Sequence, residues 1–382
     1  MDYDFAILGA GASGLLTARA ICEHPGLQDH RILLIDKEDK NTNDRTWCFW
    51  EEGTGPFDSL LERQWERIRV AGPDWETDRT MAPFRYKMLR SAPFYADYRQ
   101  RLSDSGRVVF WKAGVQGVEE SPDSVRVRTD LDEVRVGRVL SSIPLTDSPP
   151  DFGRYPLILQ HFVGWFVRMD RPVFDPASVT FMDFSVPQQG NTRFMYILPL
   201  SDRRALVEYT LFSPRRLAHE EYEAEIRSYL SDRFPGAVYE IEEKEMGSIP
   251  MTCYPFWESA TDRIIPIGIQ GGWAKASSGY TFARSVRESR RLAEYLASGR
   301  PPGKFRSRDR FWFYDLLLLD VLHRENQLGS DIFLSLFKKR STAGILRFLD
   351  EQSDLPTEIS MMAAPQSLPF IKALLRRVVK GW

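Results

Sequence analysis

The chain opens with a short apolar run, a glycine-rich turn and an amphipathic segment, "DYDFAILGAGASGLLTARAICEH". A second apolar run, "HRILLIDKE", ends at Asp36. A buried strand, a turn, a helix and a second buried strand predict a βαβ unit. Residues 41–85 show little periodicity and read as loop-rich. Residues 107–143 alternate apolar and polar positions, which predicts an antiparallel meander. Strand patterns continue over 157–212, where "SDRR" joins "TRFMYILPL" to "RALVEYTLF" as a hairpin. Residues 218–232 read as a polar helix. Residues 263–300 return to strand, glycine loop and helix. After the Pro-Pro-Gly at 301–303 the pattern is helical to "LPFIKALLRRVVKGW", which is basic and amphipathic. There is no internal repeat and no low-complexity tract.

This order predicts an α/β (α+β) chain: a Rossmann-like nucleotide-binding domain with an inserted antiparallel sheet and a helical C-terminus. The expected nucleotide domain is discontinuous, over 1–85, 105–150 and 255–300. The substrate domain is expected over 86–104 and 151–254, and a C-terminal helical region over 301–382.

Length and composition narrow the chemistry. The 382 residues carry a net charge of −2, so nothing global points to nucleic acid. Cys22, Cys48 and Cys253 are far apart, and no CxxC or HxxxH spacing occurs. A zinc site or a disulfide framework is not expected, and the thiols suit a reducing cytoplasmic compartment. The N-terminus lacks the basic-then-apolar layout of a signal peptide, and no run reaches the roughly 20 apolar residues that span a bilayer. Aromatic residues make up 13% of the chain, enough to fill a core or line an apolar ligand site.

Gly9, Gly11 and Gly14 form G-x-G-x-x-G between a strand and a helix, with Asp36 at the end of the next strand. The first glycine permits the tight turn, the second close approach of a pyrophosphate, and the third helix–strand packing. The helix N-terminus offers free N–H groups to phosphate, and an acid at Asp36 can bond ribose hydroxyls. A dehydrogenase would continue with regular βαβ units. Departure into antiparallel strands and a return near residue 263 suit FAD instead. The glycines Gly268, Gly271, Gly272 and Gly279 then either face a flavin or are ordinary loop glycines.

Within "ALVEYTLF", Leu206, Glu208, Thr210 and Phe212 share one face of a strand, and neither face is polar. Burial there raises the pKa of Glu208 and favours the neutral acid, a proton donor. The alternative is a salt bridge to Arg203 or Arg204, or an exposed strand end. Trp47, Phe49 and Trp50 of "DRTWCFWEEG" are either core or an aromatic wall able to stabilise a carbocation.

These residues resemble the flavin-dependent lycopene cyclases of bacteria, and more distantly those of plants. The likeness runs through "RTWCFW", "FMDFSV", "RFMYILPLSDRRALVEYTLFS", "GSIPM", "GGWAKASSGYTFARS", "RFLDE" and the Pro-Phe at 369–370, in family order over nearly the whole chain. Two positions depart. Tyr209 stands where many relatives carry an acid, and Lys275-Ala276 where many carry His-Pro.

The resemblance implies acid-catalysed, redox-neutral closure of the linear ψ-ends of lycopene, or a related carotene, to β-ionone rings. It implies reduced FAD as cofactor and NAD(P)H as reductant. Glu208 is the implied acid, with Asp183 a second candidate. Cofactor contacts are implied at Gly9, Ala10, Gly11, Ser13, Gly14, Asp36, Lys37, Arg45, Gly268, Gly271, Gly272, Ser278 and Gly279. Substrate contacts are implied at Trp47, Phe49, Trp50, Tyr209, Trp273 and Tyr280. Since the substrate lives in a bilayer, peripheral contact with the cytoplasmic membrane is implied. In the C-terminal segment, apolar residues interleave with Lys372, Arg376, Arg377 and Lys380, which fits either an interfacial helix or a docked helix with a solvated basic face. The rival readings are a monooxygenase or other oxidoreductase on the same fold, or a cyclase for another terpenoid. The Asp-Gly pair usual in such monooxygenases and the Trp-x-Trp-x-Ile-Pro of halogenases are both missing.

Overall fold

Phe5, Ala6, Ile7 and Leu8 are all buried, as a central parallel strand covered on both faces requires. In the computed structural model, which describes residues 3–146, 148–305 and 308–380 without the side chain of Lys380, the strand Tyr3–Leu8 lies between Ile32–Asp36 and Glu133–Ser141, parallel to both. Val108–Lys112 extends the sheet in parallel beside Ile32–Asp36. Ile264–Pro266 returns in parallel beside the C-terminal end of Glu133–Ser141. The N-terminal end of that strand carries Val125–Thr129 and then Val115–Glu120, both antiparallel. The expected meander over 107–143 is therefore partly replaced: its first strand belongs to the parallel layer, because "VVFW" is apolar at consecutive positions rather than alternating.

Two helices cover this sheet side by side. Ala12–Glu23 follows the glycine turn, and Phe282–Ala297 follows the second glycine loop. The latter buries Phe282, Ser285, Ser289, Leu292 and Leu296, the spacing of one helical face. Small residues hold the two helices close, with Thr17 Oγ1 3.0 Å from Ser289 Oγ.

A second, seven-stranded sheet runs in the order Tyr239–Met251, Ile158–Met169, Arg204–Ser213, Thr192–Pro199, Ser178–Asp183, Arg67–Gly72, Trp75–Thr80. Every residue of Thr192–Pro199 is buried, because both faces are covered. On one face the helix His219–Arg233 packs Tyr222, Ile226 and Leu230 against Val207, Tyr209 and Leu211. On the other, Gly329–Lys339 and Thr342–Leu349 pack Phe333, Phe337 and Ile345 against Phe194, Leu206 and Phe212.

Residues 41–85 are not loop-rich. They hold Thr46–Glu52 and Arg63–Trp65, which flank Phe84–Arg90 in a three-stranded sheet, and the last two strands at one side of the second sheet. The expected boundary at residue 85 thus differs from sheet membership, since 67–80 are hydrogen-bonded to the second sheet. Trp75–Thr80 is an edge strand with every other residue exposed, and its charged alternation hides it from an apolar pattern. Residues 91–104 are helical, and Phe94, Tyr95 and Tyr98 pack into the core of the first sheet rather than the second.

The C-terminal region is helical as expected, ending in Ser367–Lys380. That helix docks through Ala373 and Arg377, whose Nε and Nη2 donate to Asp320 at 2.5 and 2.6 Å. Arg377 is therefore an internal ion-pair partner, not part of a solvated basic face. Leu368, Ile371, Leu375, Val378 and Val379 are exposed, Val379 at 83%. The side chain of Lys380 and all of Trp382 lie outside the described residues. Among the described residues, no helix is long and apolar enough to cross a membrane.

Candidate active site

The two glycine loops converge at one end of the parallel sheet. Gly9 has φ +96°, open to glycine without strain. A Cβ on Gly14 would lie 1.9 Å from the Gly9 carbonyl oxygen, so helix and turn touch through hydrogen alone. Gly11 caps the helix and has open space where a Cβ would sit. Asp36 is fixed by two backbone donors: Ala10 N to Oδ2 at 2.7 Å and Glu38 N to Oδ1 at 2.9 Å. Ser13 bridges to the second half of the fold, 3.2 Å from Ser285 Oγ. A Cβ on Gly268 would lie 2.7 Å from Ser13 Oγ. Gly271 sits so close to the Pro266 carbonyl that a Cβ would be 2.5 Å from it, and Gly272 takes φ +70°. These residues form a cradle of backbone with an acid at its rim, which fits a dinucleotide. Lys37 and Arg45 are exposed beyond it, and Arg45 Nη1 donates to the Asp44 carbonyl.

The second loop, Ser277 to Phe282, also forms one wall of a cleft bounded by the second sheet, the three-stranded sheet and the C-terminal helices. Ser278, Gly279 and Tyr280 line it, with Trp47 on the same side and Phe181, Phe194, Phe212 and Phe337 on the others. Gly279 has φ +71°, and a Cβ there would lie 1.9 Å from Gln160 Oε1. Lys275, the departure from His-Pro, is buried and donates to Asp315 at 2.8 Å and Glu351 at 3.0 Å. It ties the loop to the C-terminal helices.

Glu208 projects into this cleft and is 7% exposed. Burial, and then repulsion from Glu245, push its pKa up to about 8, against a hydroxyl donor from Thr210 Oγ1 that favours the ionised form. The acid is therefore mostly neutral at pH 7. Arg204 pairs with Glu242 at 2.7 Å and Arg203 donates to the Asp170 carbonyl, so the hairpin arginines do not hold it. Beside Glu208 stand three phenols in series, Tyr196 to Tyr86 at 2.7 Å and Tyr86 to Tyr280 at 2.9 Å. Burial raises all three, so they stay neutral. The cleft is thus walled by aromatic carbon with a protonated carboxyl among neutral hydroxyls.

Other expected residues fall elsewhere. Asp183 accepts from Arg69 Nη1 at 2.9 Å and from Tyr229 Oη at 2.8 Å. Burial raises its pKa, but donors from Ser185, Arg69 and Tyr229 outweigh that and lower it. It is an ionised structural carboxylate outside the cleft lining. Tyr209 lies on the opposite face of its strand, packed under the helix His219–Arg233. Trp273 is fully buried in the core of the first sheet. Phe49 and Trp50 pack against Phe282 and Tyr280 respectively, outside the cleft. Trp47 does line it, stacked on Phe282 at 5.3 Å.

Glu245 also lines the cleft, and sequence reasoning passed over it. It sits in "EIEEKEMG", where five residues in eight are charged, and such a run reads as a solvated edge strand. The available signal was its position two residues before Gly247, on the same strand face.

A largely parallel sheet with two glycine loops, joined to a largely antiparallel sheet that carries a cleft, defines a flavoprotein-type α/β fold. Solved structures agree over the whole chain. A geranylgeranyl bacteriochlorophyll reductase-like protein from Thermoplasma acidophilum superposes with a TM-score of 0.62 at 12% identity, covering 97% of this chain and 98% of that one. A flavoprotein/dehydrogenase from Cytophaga hutchinsonii gives 0.62 at 10% identity, covering 99% and 100%. A halogenase crystallised with FAD gives 0.57 at 12%, covering 95% and 86%. Residues 4–375 match the family described as lycopene cyclase protein, and the chain belongs to that family. Lycopene beta-cyclase of Pantoea ananas is 27% identical over 308 residues, 76% of this chain and 74% of that protein. Lycopene beta-cyclase of a Paracoccus species is 26% identical over 318 residues, 79% and 75% of the two chains.

Proposed function

We propose that this chain is a lycopene beta-cyclase in which Glu208 is the acid that starts ring closure. The observation that carries the reading is a buried carboxyl, its pKa pushed up by burial, in an aromatic cleft one wall of which belongs to the second glycine loop. A ψ-end of the polyene enters the cleft. Glu208 protonates its terminal double bond and leaves a tertiary cation. The neighbouring double bond attacks that cation, and loss of a proton gives the β-ionone ring. No net oxidation occurs. Trp47, Phe181 and Phe212 exclude water, which would trap the cation, and present π-faces to it.

Gly9, Ala10, Gly11, Ser13, Gly14 and Asp36 hold FAD, with Gly268, Gly271, Gly272, Ser278 and Gly279 on its flavin side. Reduced FAD, when bound, supplies negative charge beside the cleft, and NAD(P)H is its reductant. The polyene is drawn from a membrane surface, which the exposed Leu368, Ile371, Leu375, Val378 and Val379 meet from the cytoplasmic side.

Expression in a lycopene-accumulating host, with carotenoids read by HPLC, tests the reading. Conversion to γ- or β-carotene is expected. Unchanged lycopene beside flavin-loaded protein would overturn it in favour of another polyene or a redox reaction.

A further inference from the structure

Three residues stand in one row across the second sheet. Glu208 is in register with Gly164, and Gly164 is in register with Glu245 on its other side. Residues directly opposite on neighbouring strands share a face, so both carboxylates leave the sheet towards the cleft. Both line it. Gly164 stands between them without a side chain. A Cβ there would lie 2.9 Å from Leu206 Cδ1, 3.3 Å from Glu245 Cγ and 3.6 Å from Glu208 Cβ. Glycine keeps the gap between the two acids open.

Their surroundings differ. Burial raises the pKa of Glu245 as well, but it is opposed there by Thr46 Oγ1, which donates to Oε2 at 2.6 Å, and by the guanidinium groups of Arg90 and Arg45. The opposing charge of Glu243 is engaged by Arg90 Nη2 at 2.6 Å. Glu208 has Thr210 as donor and otherwise faces Tyr196, Tyr280 and Cys48, all neutral. Both acids are raised by burial, but Arg90 and Arg45 act on Glu245 while Thr210 alone opposes the rise at Glu208, so a single shared proton rests on Glu208 and the charge on Glu245.

We infer that Glu208 and Glu245 act as a carboxyl pair holding one proton across the Gly164 gap, Glu208 giving it to the polyene and Glu245 accepting the one released. The inference rests on the cyclase reading. The terminal π pair takes the Glu208 proton as a new C–H bond. The next π pair forms the ring C–C bond. A C–H bond beside the resulting cation breaks, its electrons become the ring double bond, and its proton passes to Glu245. One proton enters and one leaves, so no oxidant or reductant is consumed. The pair resets by returning the proton to Glu208.

The test compares Glu245→Gln with wild type and Glu208→Gln, all as FAD-loaded protein. For Glu245→Gln, KM within about twofold of wild type and a kcat lower by about 10²-fold are expected. The protonated-carboxyl C=O stretch gives an activity-independent readout. It is lost in Glu208→Gln, and in Glu245→Gln its titration midpoint falls by about one pH unit. A wild-type kcat or an unmoved midpoint in Glu245→Gln overturns the pairing while leaving Glu208 as acid. Undiminished cyclisation by Glu208→Gln would instead sink the acid assignment and the pairing with it. If Glu245→Gln fails to hold FAD, Glu245→Asp retains the charge but withdraws it by one methylene. The pairing then requires a lower kcat at unchanged KM, and a wild-type kcat overturns it.

Discussion

Glu208 is a carboxyl whose pKa the fold raises, from the ordinary value of 4.5 to about 8. Two consequences follow, and both quantities decline as pH rises. With Glu208 as the proposed acid, cyclisation requires its neutral form, so the rate should fall as pH rises through about 8, measured as kcat on FAD-loaded protein. Stability moves the other way from a salt-bridged carboxylate. Between pH 4.5 and 8 the unfolded chain binds fewer protons at this position than the native one, so stability drops across that window and levels off above it. A tenfold change in proton affinity corresponds to about 1.4 kcal/mol. Glu208→Gln should therefore raise the melting temperature at pH 8 by several degrees, and the gain should shrink towards pH 5. Thermal melts at both pH values check this, and an equal gain at both would show that burial is not what holds the proton. Glu208 was legible in the sequence because an acid in an otherwise apolar strand breaks the pattern. Glu245 was not, because its strand is charged along most of its length. Tyr209 could be assigned to the wrong side only by weighting its family position over the alternation that already placed it with Val207 and Leu211.

The helices and strands are specified where glycine or apolar spacing admits one outcome. The first turn is the clearest case: Gly14→Ala would set a Cβ 1.9 Å from the Gly9 carbonyl. Overpacking of this kind costs about 1–3 kcal/mol. The variant should purify with less than stoichiometric flavin, read from its absorption spectrum. The strand–loop–helix at 263–300 was equally readable, because its glycines fall between an apolar run and a helical stripe. The strands over 46–80 were not. One is a charged edge, and Arg67–Gly72 finds its partner Ser178–Asp183 more than 100 residues away in the second sheet. Arg377 shows the same limit in the C-terminal helix. Its charge looked solvated, yet it is buried against Asp320. Arg377→Ala leaves that carboxylate unpaired and should destabilise the fold by about 3 kcal/mol in urea unfolding. A shift under about 0.5 kcal/mol would mean that the helix docks by its apolar contacts alone.

At the scale of the whole molecule, one sheet carries the glycine cradle, the other carries the two acids, and C-terminal helices close the cleft over the second sheet. The last helix, Ser367–Lys380, exposes leucine, isoleucine and valine on the outside. Leu375→Glu with Val379→Glu should reduce co-sedimentation with anionic liposomes severalfold while leaving flavin content unchanged, if this surface meets the bilayer. Unaltered sedimentation would assign membrane contact to another face. The central claim is that ring closure starts with a proton and involves no net electron transfer. A single turnover on lycopene in deuterated water, followed by mass spectrometry of the carotenoid, tests it most directly. The account predicts deuterium in each newly closed ring, no added oxygen, and no NAD(P)H consumed in proportion to rings formed. A ring formed without deuterium, or a product heavier by oxygen, would contradict it.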